Sequence, residues 1–235
     1  MNPIICLFRL AITFTFRTMV LWVFGYGSLL WKAGFEYDER MIGYIKDYRR
    51  VFHQASTDHR GTPEYPGRVV TLEAKEGEVT WGAAYRVSGH DNEKLVLSYL
   101  DLREQEYDQK SYVNLYTADS SETPALCNVL VYIGSSEISR NKFWAGPAPL
   151  EVMAEQIARA VGPSGPNYEY LFLLEKSLRE LDCVDEDISE LAEAVRKYMN
   201  SSNGPNSSDD VSGTNGTTET QSISRKQQHD VCNGV

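Results

Sequence analysis

The residues best suited to chemistry begin at Val23-Phe24-Gly25-Tyr26-Gly27-Ser28-Leu29, an apolar run that enters two glycines separated by one residue. Glycine admits positive φ and lets a ligand approach main-chain N–H groups closely. A strand ending in such a turn can form a nest of N–H donors for a carboxylate or a phosphate. The stretch is not a P-loop, because no Gly-Lys-Ser/Thr follows at the required spacing. It also lacks the dinucleotide fingerprint, since Leu30 stands where the third glycine belongs. The alternative is a tight turn with Tyr26 as a core aromatic.

A second cluster, Asp101, Arg103, Glu104, Glu106 and Asp108, follows a predicted helix over Asp91–Leu102. If the helix continues, Asp101 and Glu104 share a face. A carboxyl there meets the negative end of the helix dipole and neighbouring acids, and both raise its pKa. A raised carboxyl suits a group that accepts and returns a proton near neutrality. The alternative is a solvated helix end with Arg103 as counter-ion.

Other candidates are sparse. No Gly-x-Ser-x-Gly elbow surrounds Ser28, and the four histidines (His53, His59, His90, His229) form no serine–histidine–acid set with it. His59, between Asp58 and Arg60, is either a base or part of a loop ion-pair cluster. Arg49, Arg50 and Arg68 either grip substrate carboxylates through bidentate forks or pair with the protein's own acids. Cys6, Cys127, Cys183 and Cys232 are scattered, with no Cys-x-x-Cys pair and no Cys/His cluster. No zinc site is expected, and sparse cysteine fits a reducing compartment.

Strands and then helices must position these residues. Leu21–Phe24, Met41–His53, Arg68–Leu72, Val79–Val87, Ser111–Tyr116 and Leu126–Tyr132 are rich in Val, Ile, Thr and Tyr and bounded by turn formers. In the helix that interrupts them, Asp91 is the expected N-cap, and Leu95, Tyr99 and Leu102 recur at helical spacing. Three apolar stripes follow: Leu150 to Val161 after Pro149, Leu171 to Leu181, and Ile188 to Met199. Strands first and helices last predict an α+β fold.

The chain has 235 residues, 42% hydrophobic and 24% charged, which is ordinary for a globular protein. Its net charge of −10 disfavours nucleic acid and an anionic membrane surface as partners. Residues 1–18 are apolar, contain Arg9 and Arg17 and no acid, and are too interrupted for a membrane span. They are read as an extension preceding a start at Met19, with an organelle transit segment as the alternative. Residues 201–235 have no aromatic residue and read as a disordered tail. This leaves one domain, 19–200.

Taken together, these residues resemble the ChaC-type γ-glutamylcyclotransferases, and their plant members above all. The resemblance rests on blocks in order: Phe24-Gly25-Tyr26-Gly27-Ser28-Leu29-Leu30-Trp31, Ser56-Thr57-Asp58-His59-Arg60-Gly61, Pro66-Gly67-Arg68-Val69-Val70-Thr71-Leu72, Trp81-Gly82-Ala83-Ala84-Tyr85-Arg86-Val87, Tyr99-Leu100-Asp101-Leu102-Arg103-Glu104, Gly146-Pro147-Ala148-Pro149-Leu150 and Gly162-Pro163-Ser164-Gly165-Pro166-Asn167. It spans about Val20 to Leu181. It implies a mixed β-barrel with packed helices and a cavity at the mouth of the first strand. It also implies that Val23, Phe24, Gly25, Tyr26, Gly27 and Ser28 hold a γ-glutamyl group, and that Glu104 is the catalytic acid/base. One departure stands out: where many members carry glycines after that glutamate, this chain has Gln105-Glu106-Tyr107.

The implied activity is that of a carbon–nitrogen lyase. The α-amine of the γ-glutamyl group of glutathione attacks its own γ-carbonyl, giving 5-oxoproline and Cys-Gly. No cofactor and no metal is needed, although stimulation by a divalent metal stays open. The expected setting is glutathione breakdown in the cytoplasm, with import through residues 1–18 as the alternative. Two other readings stay open: a cyclotransferase preferring γ-glutamyl amino acids or γ-glutamylamines, and a γ-glutamyl-binding module without turnover.

Overall fold

The computed structural model describes residues 20–202. The predicted extension, 1–18, and the predicted tail from residue 203 onward lie outside the described residues. Five strands make the main sheet: β1 (Leu21–Gly25), β2 (Glu39–Ser56), β3 (Gly67–Val87), β4 (Gln109–Leu115) and β5 (Leu126–Ile133). A short ribbon, β6 (Val161–Gly162) and β7 (Gly165–Pro166), follows later. The helices are α1 (His90–Arg103), α2 (Leu150–Arg159), α3 (Asn167–Glu180) and α4 (Glu186–Ser202).

The sheet order is β2-β3-β1-β5-β4. β1 runs parallel to β5 at Val23 and Leu130, and every other neighbour is antiparallel. The central place of β1 follows from its residues, since Val23 and Phe24 are almost wholly buried between strands that contribute Ala83, Ala84 and Leu130. The two edge strands also meet. Tyr44 in β2 and Tyr116 just after β4 exchange two N–H···O bonds of 2.8 Å. The sheet is thus rolled until its edges touch at one bridge, short of the continuous ladder of the predicted barrel.

Two predicted strands, Arg68–Leu72 and Val79–Val87, are one. The polar stretch between them imitates a loop but continues the strand: Glu73 and Ala74 pair with Arg49 and Tyr48, and pairing resumes at Val79 after a register shift at Lys46/Tyr48. There Asp47 takes φ 63° and its carboxylate accepts the Gly77 N–H at 2.9 Å. A bulge of this kind bends the strand and sharpens its twist.

The three late helices bury most of the predicted stripes, but α2 ends at Arg159, and Val161, predicted to close the first stripe, lies exposed in β6. Ile157, Leu171, Leu174, Leu178, Ile188, Leu191 and Val195 are all at most 3% exposed, and α2 and α3 pack on β3 and on α4. α1 begins one residue before the predicted start. Its N-cap is Gly89 at φ 94°, so Asp91 is not the cap but sits in the first turn, where the helix dipole favours negative charge. The helix stops at Arg103, and Glu104 is its C-cap, with its N–H on the Leu100 carbonyl at 2.8 Å. Among the described residues, no helix is long and apolar enough to cross a membrane.

Candidate active site

A cavity of about 220 Å³ opens where β1 ends. Its lining draws Phe24, Tyr26, Gly27 and Ser28 from the first strand and its turn, and Arg103, Glu104, Glu106 and Tyr107 from the end of α1. Val23 and Gly25 sit one layer behind the wall, in the sheet beside Tyr85 and Ala83. Neither glycine of the turn needs positive φ. Space is the reason for glycine here. A Cβ on Gly25 would lie 2.6 Å from Leu29 Cβ, and one on Gly27 would lie 2.9 Å from both Tyr170 Oη and Val70 Cγ2. We expect Gly27→Ala to lower kcat/KM at least about tenfold, at a stability cost of about 1–3 kcal/mol for overpacking. Steady-state kinetics beside thermal unfolding checks this.

After Gly27 the chain makes a single 3-10 turn, Ser28–Leu30. The first N–H groups of a helical turn have no acceptor within it. The Tyr26–Gly27 peptide is held from behind. Arg50 Nε donates to the Tyr26 carbonyl at 2.8 Å, Nη1 meets Asp185 Oδ2 at 2.5 Å, and Nη2 donates to the Trp81 carbonyl. A trans peptide points its N–H opposite to its C=O. With the Tyr26 carbonyl committed to Arg50, the Gly27 N–H faces the other way, and Gly27 lines the cavity.

Arg103 ties the turn to the acid. Its Nη2 donates to Ser28 Oγ at 2.7 Å, its Nη1 to the carbonyls of Lys32 and Ala33 at 2.8 Å each, and its Nε lies 3.1 Å from Glu104 Oε1. The Glu104 side chain is only 14% exposed. Burial pushes its carboxyl above the ordinary value, while the positive charges of Arg103 and His59 pull it down without cancelling the rise. The direction is the predicted one, but its cause is desolvation and not the neighbouring acids. Asp101, the predicted face-mate, lies outside the lining: it accepts Lys110 Nζ and Tyr132 Oη, both at 2.6 Å, and these hold its carboxyl below the usual range.

The turn after Glu104 dispenses with glycine because side chains pin it. Tyr107 N–H donates to the Glu104 carbonyl at 2.9 Å, and Tyr107 Oη to the Val70 carbonyl at 2.7 Å. Glu106 is buried, with Oε1 accepting from Thr57 N–H at 3.0 Å and Thr57 Oγ1 at 2.8 Å. Burial raises this second carboxyl too, with the Thr57 donors opposing and Asp58 reinforcing the rise. Tyr26 and Tyr170 complete the inner wall. Burial, helped by the Glu104 charge, keeps both hydroxyls protonated.

Of the arginines singled out in the sequence, Arg49, Arg50 and Arg68 serve the protein itself. Arg49 pairs with Glu73, Arg50 with Asp185, and Arg68 with Gln156 and the carbonyls of Phe52 and Gly146. The cations of the cavity lining are instead Lys32, Arg60 and Arg103, with His59 beside them. Glu106 stood in the sequence only as one acid of the cluster after α1, and Tyr107 was missed as a wall residue; its only signal was the replacement of glycines by larger groups directly after Glu104. Among the described residues no group of three or more His, Cys, Asp or Glu side chains is gathered as a metal would require.

This arrangement places a desolvated carboxyl and the Gly27–Ser28 turn on one cavity. The family model for ChaC-like proteins matches residues 21–198. The chain belongs to the ChaC-like family. Among ChaC-like relatives, gamma-glutamylcyclotransferase 2-3 of Arabidopsis thaliana is 50% identical over 184 residues, covering 78% of this chain and 92% of its own length. The glutathione-specific gamma-glutamylcyclotransferase of Schizosaccharomyces pombe is 39% identical over 194 residues, covering 76% of this chain and 94% of the relative. A crystal structure of the yeast gamma-glutamyl cyclotransferase specific to glutathione superposes with a TM-score of 0.68 at 31% identity, covering 76% of this chain and 96% of that one.

Proposed function

We propose that this ChaC-like chain converts glutathione to 5-oxoproline and Cys-Gly, with Glu104 as general acid and base. The observation that carries the reading is the Glu104 carboxyl: mostly buried, raised in pKa, on a cavity shared with the Gly27–Ser28 turn. The names of its relatives supply the substrate class.

The nucleophile belongs to the substrate, which is why the site needs no activated serine or cysteine. The α-ammonium of the γ-glutamyl group gives a proton to ionised Glu104, and the free amine attacks the γ-carbonyl. As the tetrahedral intermediate collapses, Glu104 returns the proton to the departing cysteinyl nitrogen, and the second proton of the attacking nitrogen passes to that amine as the lactam forms, leaving a lactam N–H and a cysteinyl ammonium, so the carboxylate is regenerated and no water is consumed. Main-chain donors of the turn hold the substrate's oxygen atoms, and the cavity folds the chain so that amine and carbonyl meet. A γ-glutamyl amine and its own carbonyl are already linked, so orientation supplies much of the acceleration.

Incubating the full chain with glutathione and quantifying both products tests the reading. Equal amounts of 5-oxoproline and Cys-Gly support it. Faster turnover of γ-glutamyl-alanine would transfer the activity to γ-glutamyl amino acids, and binding without product would leave only a binding module.

The pH dependence carries a sign. Glu104 acts first as a base, so kcat/KM rises with pH as its carboxyl ionises. Because burial lifts that carboxyl, the acid limb lies above the ordinary carboxylate range. A pH–rate profile with its acid limb at or below an ordinary glutamate value would contradict the assignment.

A further inference from the structure

We propose that Arg60 holds the terminal carboxylate of the leaving dipeptide, and so distinguishes a γ-glutamyl tripeptide acid from shorter or uncharged γ-glutamyl compounds. This rests on the reading above and adds a subsite to it.

The substrate carries two carboxylates, one on the γ-glutamyl group and one at the far end. The protein carries −10, so capture depends on where positive charge is placed. Within the lining, Arg103 is committed to Ser28, to the Lys32 and Ala33 carbonyls and to Glu104. Lys32 is exposed and solvated. Arg60 differs from both. Its side chain is only 13% exposed, and a single nitrogen, Nη1, is engaged. That nitrogen donates to the Pro166 carbonyl at 2.9 Å and approaches Glu169 Oε2, on a half-exposed side chain, at 3.4 Å. Nε and Nη2 have no acceptor among the described residues. A guanidinium withdrawn from water with spare donors on a cavity wall is matched to a carboxylate.

The wall that carries it is stiff. The His59 carbonyl accepts Ser164 N–H at 2.8 Å, and a Cβ on Gly162 would strike the His59 carbonyl. Gly165 at φ 99° leaves room for the Arg60 head, since a Cβ there would lie 3.3 Å from Nη1. Asn167 clamps the adjoining strand, accepting Arg68 N–H at 2.7 Å and donating to its carbonyl at 2.8 Å. The neighbouring residue, His59, is close enough to Glu104 for its charge to lower the Glu104 carboxyl. Arg60 therefore stands on the same wall as the reacting end of the substrate, one residue along. Two extended residues reach roughly 7 Å, the span from the scissile carbonyl to the last carboxylate.

A contact this far from the reacting atoms is made equally in the ground and transition states, so it acts on KM. The test compares glutathione with glutathione whose glycine carboxylate is converted to the primary amide, using the full chain and its Arg60→Ala and Arg60→Lys variants. Wild type should favour glutathione in kcat/KM by at least about tenfold, mostly through KM, as expected for a charge-assisted contact. Arg60→Ala should bring that ratio close to one, and Arg60→Lys should recover part of it as a point charge. If Arg60→Ala slows both substrates equally, Arg60 only props the wall, and the proposal falls. A wild type with no preference between the two also overturns it, while leaving the cyclotransferase reading standing. A wild type that releases 5-oxoproline from neither substrate overturns that reading, and this proposal with it.

Discussion

Glu104→Gln removes turnover and at the same time raises thermal stability near neutral pH. The amide keeps the shape of the side chain and its place beside Arg103, but cannot take the proton of the substrate ammonium. Loss of a positioned acid/base costs roughly 100- to 10,000-fold in rate. The stability change follows from linkage. Burial raises the carboxyl in the folded protein above its unfolded value. At a pH below the unfolded value both states hold the proton, and the group contributes nothing unfavourable. As pH rises through the raised value, the folded state must carry an ion that it disfavours, and stability falls. Glutamine never carries that ion. The variant should therefore melt above wild type at neutrality, with the gap closing in acid. Activity near wild type would remove Glu104 from the mechanism. A variant melting lower at neutrality would show that the contact with Arg103 outweighs burial.

Arg50→Ala should be among the most damaging single substitutions in the described domain, although Arg50 does not line the cavity. The guanidinium is 1% exposed and joins three segments: the Tyr26 carbonyl of the turn after β1, the Trp81 carbonyl of β3 and Asp185 just before α4. Removing one member of a buried ion pair costs about 3–5 kcal/mol, because the partner groups lose their donor. For a domain of this size that is a fall in Tm of about 6–20 °C. Asp185→Asn should be milder. Asp185 Oδ1 accepts Ile188 N–H at 3.2 Å, as an N-cap does, and asparagine caps as well. Thermal denaturation of both variants measures the difference. An Arg50→Ala protein melting within about 2 °C of wild type would mean that the bridge contributes little.

The two variants separate chemistry from support, and that division mirrors what could be read from the residues alone. The α+β class was legible because periodicity depends on local spacing: alternating Val, Ile and Tyr before Pro149, and apolar stripes after it. The turn at Gly25–Ser28 and the acid at Glu104 were legible too, since a Gly-x-Gly after an apolar run and a carboxylate at a helix end are local patterns. The single long β3 was hidden, because the polar residues 73–78 resemble a loop until β2 is seen beside them and the register shift at Asp47 explains their exposure.

The amino-acid sequence by itself determined the order of elements, the family blocks and the placing of a carboxylate, Glu104, at the end of a helix, all of which depend on neighbours along the chain. Only the tertiary structure decided what each charge does. Arg49, Arg50, Arg60 and Arg68 share one chemistry, and nothing in their spacing separates a grip on the substrate from internal support. Folding gives three of them acceptors within the protein and leaves Arg60 with spare donors on the cavity wall. The raised Glu104 carboxyl has the same origin. Helix dipole and nearby acids are visible in a sequence, but the cause of the rise is desolvation, which exists only once β1, the Tyr26 and Tyr170 rings and the turn after α1 close around the group.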